Sequence, residues 1–219
     1  ITFDALVALA AEQGKPVLLA TGAADMADVE HAAALILERT PKLCLMQCNT
    51  NYSGALENFA SVNLNVLKTF ASRWPGMVLG FSDHTPGHAA VLGAVALGAR
   101  GVEKHSTADN SREGPDHGFA MNPGTWAEMV EAARLLELAL GHGVKPIEVN
   151  EHETVVVQRR AVRAARDLPA GHRLTTDDLE SLRPCPPDAI DPRRIGEVAG
   201  RVLKTAKSAG EAMTWTDLA

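Results

Sequence analysis

The sequence predicts an α/β fold: half of a (β/α)8 barrel followed by a small second domain of short, irregular strands. Three observations predict it. Short apolar stretches alternate with segments of helical period four times through residues 1–140, the signature of a parallel sheet covered by helices. A polar cluster stands at the carboxyl end of each apolar stretch: Thr21-Gly22, residues 48–52, residues 82–84 and residues 103–105. Four successive strand ends contributing in this way fit a barrel mouth better than the single switch point of a doubly wound sheet. After residue 147 the period is lost and Pro, Gly and Arg punctuate short elements.

Taken in order, residues 3–13 have helical spacing and are stopped by Gly14-Lys15-Pro16. Residues 17–20 form a strand, and residues 26–38 a helix capped by Asp25 or Asp28. A second strand covers 43–47. A helix over 63–73 ends at Trp74-Pro75-Gly76. The third strand covers 77–81 and its helix 88–97, with Gly98 as the C-terminal cap. The last strand begins at 101–103, and residues 126–140 form a long amphipathic helix. Residues 148–157 are polar and acidic and read as a linker. In the final segment, 159–166 read as a strand, 174–179 as a capped short helix, 195–199 as one helical turn and 202–204 as a short strand. The domains are therefore 1–147 and 158–219, joined by 148–157.

The 219 residues are 46% hydrophobic, enough for one sizeable core and a smaller one. The formal net charge is −6 and no Lys/Arg stripe occurs, which argues against nucleic acid as a partner. No run of about 18 apolar residues exists, so no membrane span is expected. Three cysteines, Cys44, Cys48 and Cys185, form no framework. Reduced thiols and a cytoplasmic location are the expectation.

The chemistry-bearing residues concentrate in residues 80–117. His84 and His105 each end a strand, where adjacent parallel strands lie roughly 5 Å apart. Two imidazoles there either converge on one divalent ion, with water and substrate oxygens completing the site, or are plain hydrogen-bonded strand-end residues. Asp83 and Glu103 read as carboxylates that orient the histidines or move protons, with orientation the expectation for Asp83. Asp116 lies in a loop after Gly114-Pro115 and reads as a turn residue or as a cover for the mouth. Thr21-Gly22 and the run Asn49, Thr50, Asn51, Tyr52 offer donors to an anion. Cys48 reads as a buried small residue, and Arg183 as a surface arginine.

Together, Ser82-Asp83-His84-Thr85, Glu103-Lys104-His105 and Gly114-Pro115-Asp116 closely resemble the sialic acid synthases, the phosphoenolpyruvate-dependent nonulosonate synthases. Cys48 with Tyr52 four residues on supports the match. The final segment resembles the antifreeze-like domain of that family, through Arg160, Ala170-Gly171, residues 175–179, Arg183-Pro184 and Gly200. The resemblance implies the C-terminal half of a (β/α)8 barrel, and a homodimer in which one subunit's antifreeze-like domain caps the other's barrel. It implies a divalent metal on His84 and His105, Mn2+ first, with Mg2+ or Co2+ as alternatives. It further implies Glu103 and Asp116 as catalytic residues, Ser82 and Tyr52 at the substrates and Arg183 reaching the sugar from the exchanged cap. The implied reaction condenses phosphoenolpyruvate with an N-acetylmannosamine-type amino sugar.

Departures are local. Thr50 stands where the family has Asn, flanked by Asn49 and Asn51; Ser106 replaces a common Phe; Cys185-Pro186-Pro187 replaces a Gly-rich stretch. The family's first four β/α units would precede Ile1. This predicts a fragment of a longer protein, with impaired or no turnover in isolation, or else a non-catalytic binding or assembly module that needs another chain.

Overall fold

A computed structural model describes residues 1–219. The chain divides into two compact units, Ile1–Gly143 and Val144–Ala219, each with its own core.

In the first unit, β1 (Val17–Ala20), β2 (Leu43–Cys48), β3 (Val78–Asp83) and β4 (Gly101–Lys104) form one parallel sheet in the order β1-β2-β3-β4. α1 (Asp4–Glu12) precedes it. α2 (Met26–Leu37), α3 (Val66–Arg73) and α4 (Ala89–Ala96) connect successive strands, and α5 (Pro123–Leu140) follows β4. Strands taken in sequence through right-handed crossovers put their helices on one face of the sheet. A doubly wound sheet reverses direction at a switch point; this sheet does not.

Alternation along the strands sorts the side chains. Leu19, Leu43, Leu45, Leu79 and Phe81 join Ile36, Leu67, Phe70 and Val91 in one apolar core. Residues of the other parity face away from the helices. Among them Cys48 pairs with Ser82, and Ser82 pairs with Glu103, so three polar side chains stand in a row at one level of the sheet.

Local chemistry accounts for the element ends. Asp25 and Asp28 cap α2 reciprocally, each side chain accepting the other's backbone N–H. α5 begins at Pro123, three residues before the expected start, because Asn122 and Thr125 form a second reciprocal cap. Proline suits the first helical position, where its missing N–H has no partner to lose. α3 begins at Val66 rather than 63, since Asn63 has φ +50°. A 3-10 turn over Leu56–Ser61 lies in the connection between β2 and α3, where the sequence shows no helical period. β3 runs through Ser82 and Asp83, which the sequence reading placed beyond the strand.

In the second unit, β5 (Ala161–Ala164) pairs antiparallel with β6 (Leu179–Leu182). The stretch read as a linker, 148–157, is helical: a 3-10 turn over Val149–Glu151 leads into α6 (His152–Gln158). Glu148, Glu151 and Glu153 sit at its start, where the helix dipole favours acids, so their polarity marks a helix start and not a loop. β6 begins where the expected capped helix ends, and only Thr176–Asp178 makes a 3-10 turn. The strand expected at 202–204 is reduced to single bridges, Val202 to Arg173 and Leu203 to Leu218. α7 (Ile195–Val198) is one turn.

An internal repeat explains this irregularity. Residues 170–179 and 209–218 share the pattern Ala-Gly-x-x-x-Thr-x-x-Asp-Leu. Gly171 and Gly210 have φ of +80° and +79°. Leu174 and Met213 are buried at matching positions. Thr175 with Asp178 and Thr214 with Asp217 form equivalent capping boxes. The domain is two copies of one turn device around a shared core of Val162, Leu168, Ile190 and Leu203.

Candidate active site

The carboxyl ends of β2, β3 and β4 assemble the site. Ser82, 3% exposed, donates its hydroxyl to Glu103 Oε1 at 2.8 Å. Cys48 lies beside Ser82, and burial pushes its thiol up from the ordinary value, keeping it protonated. It is a packing residue here, as its position in sequence suggested.

His84 and His105 lie with ring centroids 5.1 Å apart and planes inclined by 57°. His84 Nδ1 is 2.9 Å from the carbonyl oxygen of Asn49. A carbonyl only accepts, so Nδ1 carries the proton and Nε2 keeps its lone pair. Burial lowers the His84 pKa, opposed by the Asn49 bond and reinforced by His105, which favours the neutral ring. His105 Nδ1 faces Asp116 Oδ2 at 3.4 Å, leaving its Nε2 for other work. No cluster of three or more His, Cys, Asp or Glu side chains is arranged to hold an ion. The site therefore offers two imidazoles, a donor set that suits a borderline divalent metal whose remaining ligands are oxygens.

Aromatic rings wall this pair. Tyr52 stands 4.3 Å from the His84 ring and 5.5 Å from His105, and Phe119 lies 5.3 Å from His105. Gly54 makes the Phe119 approach feasible: it has φ +64°, and a Cβ there would meet the Phe119 side chain at 2.6 Å. At the neighbouring strand end, a Cβ on Gly22 would lie 2.2 Å from Thr50 Cγ2 and 2.9 Å from Cys48 Sγ.

The anion donors suggested by sequence sort themselves by partner. Thr21 gives its hydroxyl to Met46 O at 2.9 Å. Asn49 Nδ2 donates to Ser61 O, and Asn49 Oδ1 accepts from Asn51 N. Asn51 Oδ1 accepts from Ser53 N. These bonds hold the loop itself, and the side-chain N–H donors of Asn51 take no part in them. Thr50 is exposed between them, with its hydroxyl unengaged.

Asp83 differs from expectation. It touches neither histidine: it lies on the helix side of the sheet, 2.7 Å from Lys104 Nζ. The physical reason is strand alternation, which sends Asp83 and His84 to opposite faces. Asp116 sits in a loop closed by Met121 N to His105 O and Thr107 N to Met121 O, both 2.9 Å. Thr107 and His117 lie 2.8 Å apart within it. Arg183 belongs to the second unit, where it is exposed after β6 and precedes a cis bond to Pro184. Sequence reading missed the Asn49 carbonyl, Phe119 and Lys104. Lys104 alone left a signal, having the same strand parity as Asp83 relative to the histidines.

Comparison with known proteins places this geometry. Residues 1–145 match the NeuB family and residues 159–219 match the SAF domain. The chain is 34% identical over 219 residues to an uncharacterized protein of Methanocaldococcus jannaschii, covering 100% of this chain and 63% of that protein. It is 33% identical over 205 residues to the N,N'-diacetyllegionaminic acid synthase of Legionella pneumophila, covering 91% and 56%. A solved structure of the N-acetylneuraminic acid synthetase of Leptospira borgpetersenii in complex with citrate superposes with a TM-score of 0.62 at 29% identity, covering 69% of this chain and 52% of that one. The chain thus spans only part of the length of each relative. With the match to its first 145 residues and the SAF, or antifreeze-like, domain at its end, the chain belongs to the NeuB family.

Proposed function

We propose that this chain is the metal-bearing part of a nonulosonate synthase: the C-terminal half of a (β/α)8 barrel and its antifreeze-like cap. The reaction joins phosphoenolpyruvate to an N-acetylmannosamine-type or diacetamido amino sugar, giving a nine-carbon 2-keto acid and phosphate. The observation that carries the reading is the His84–His105 pair standing beside the hydrogen-bonded Ser82 and Glu103. The names of the similar Legionella and Leptospira proteins support the substrate class.

The enol carbon of phosphoenolpyruvate attacks the sugar aldehyde, and the aldehyde oxygen takes a proton. Water adds to C2 and loses a proton; the C2–O bond to phosphate then breaks and leaves a ketone. A divalent ion on His84 and His105, Mn2+ first and Mg2+ or Co2+ as alternatives, would supply Lewis-acid polarisation of the aldehyde. Glu103, held by Ser82, takes the proton of the attacking water. Thr50 and Tyr52 face the substrates with hydroxyl donors. Asp116 orients His105 and accepts from sugar hydroxyls. Arg183, carried across a homodimer by the exchanged cap, bonds to the sugar end.

The test is phosphate release by the protein, expressed with any residues its gene encodes upstream of Ile1. The expected result is release that needs phosphoenolpyruvate, an amino sugar and Mn2+ together, and stops on chelation. Release independent of the sugar would overturn the reading.

A further inference from the structure

We propose that Asp83 and Lys104 are positioning residues whose buried ion pair, on the helix side of the sheet, sets the two imidazoles on the other side. The proposal rests on His84 and His105 being the working pair.

Asp83 and Lys104 are register partners at the ends of β3 and β4. Their side chains are 0% and 2% exposed, with Oδ2 and Nζ 2.7 Å apart. Asp83 Oδ1 also accepts from the backbone N–H and the hydroxyl of Thr85, at 2.9 and 2.8 Å. Lys104 Nζ closes the figure by donating to the Thr85 carbonyl. His84 is thereby bracketed by two tied residues, and His105 follows Lys104 directly. Because successive strand residues alternate faces, clamping Asp83 to Lys104 places both histidines at the same level of the opposite face. A one-residue slip of β4 would send His105 to the helix side.

Stability does not explain the pair. Desolvating two charges offsets most of their attraction, and well-packed apolar side chains of similar size serve stability as well or better. What the pair adds is direction: two charges and three bonds to Thr85 admit one arrangement of the strand ends.

This separates experimentally. The paired variant Asp83→Leu/Lys104→Met removes both charges together and is compared with wild type by thermal melting, by the imidazole 1H–15N spectrum without metal, and by Mn2+ titration. The expected result is a melting temperature within a few degrees of wild type, loss of the single Nδ1–H tautomer of His84, and Mn2+ affinity weaker by about tenfold or more. An unchanged His84 tautomer with unchanged Mn2+ affinity overturns the proposal. Wild type that binds no Mn2+ overturns the metal reading instead, and the tautomer measurement then decides the positioning role alone. Should the paired variant not fold, Asp83→Asn keeps the side-chain shape and the acceptor for Thr85. The same tautomer change is expected there, and an unaltered spectrum counts against the clamp.

Discussion

Ser82 donates its hydroxyl to Glu103 Oε1 at 2.8 Å, across a register pair of adjacent parallel strands. The bond holds the carboxylate on the same face as the two imidazoles. Under the proposed reaction, Glu103→Gln is expected to slow phosphate release by about 100-fold or more, the usual worth of a positioned base, with Mn2+ affinity retained. Ser82→Ala is expected to cost about tenfold, since one hydrogen bond to a charged group is lost. Steady-state rates for both variants, beside Mn2+ titrations, check the assignment. Equal rates in Glu103→Gln and wild type count against a proton-transfer role.

The histidine pair makes a second prediction. Under the proposed metal site, His84→Ala and His105→Ala each remove one of the two imidazoles that would hold the ion. Each is expected to weaken Mn2+ binding by about 100-fold, more than the tenfold scale of substitutions behind the ligands. Calorimetric titration of the three proteins measures this. Wild-type affinity in either variant excludes that residue as a ligand.

Packing at the strand ends is testable without substrate. A Cβ on Gly22 would meet Thr50 Cγ2 at 2.2 Å and Cys48 Sγ at 2.9 Å. Gly22→Ala is expected to destabilise the first unit by about 1–3 kcal/mol through overpacking. Adding Thr50→Ser removes the methyl and should restore part of that loss, the Cys48 contact remaining. Denaturant melts of the single and double variants form the cycle. Additive losses would show that the two residues do not meet.

Acid stability follows from Asp178 in the second unit. Its buried carboxylate accepts from His172, Thr175 and Arg166, and these bonds hold its pKa far below the ordinary carboxylate value. A depressed pKa in the fold means stability that is present above the unfolded value near 4 and is lost as pH falls toward the folded one. Wild type is expected to outlast Asp178→Asn in thermal melts near neutral pH, by about 1–3 kcal/mol. The gap should shrink below pH about 4. A gap that stays constant from pH 7 to pH 2 would assign the loss to shape rather than charge.

The first unit was legible because its signals are local. Apolar stretches of four to six residues became β1 to β4, and Gly-Lys-Pro or Trp-Pro-Gly stops ended their helices. The second unit was less so. Its strands are short, and its order comes from two copies of a turn device 39 residues apart, whose likeness lies in capping boxes rather than in hydrophobic period. Residues 148–157 read as a linker for a related reason: glutamates at a helix start look like those of a loop until the following Val155 and Val156 are given weight.

The sequence by itself determined which residue types stand at each strand end, and hence that two histidines, a serine and a glutamate share a neighbourhood. Strand period of two suffices for that, because it is a property of consecutive residues. Only the tertiary structure decided what each group faces. Asp83 meets Lys104 rather than a histidine, the Asn49 carbonyl selects the His84 tautomer, and the Asn49 amide and the Asn51 Oδ1 are engaged within their own loop. Those outcomes depend on inter-strand register and loop path, which are set by packing among residues distant in sequence, such as Leu45, Phe70 and Phe81, and no short window of the chain contains them.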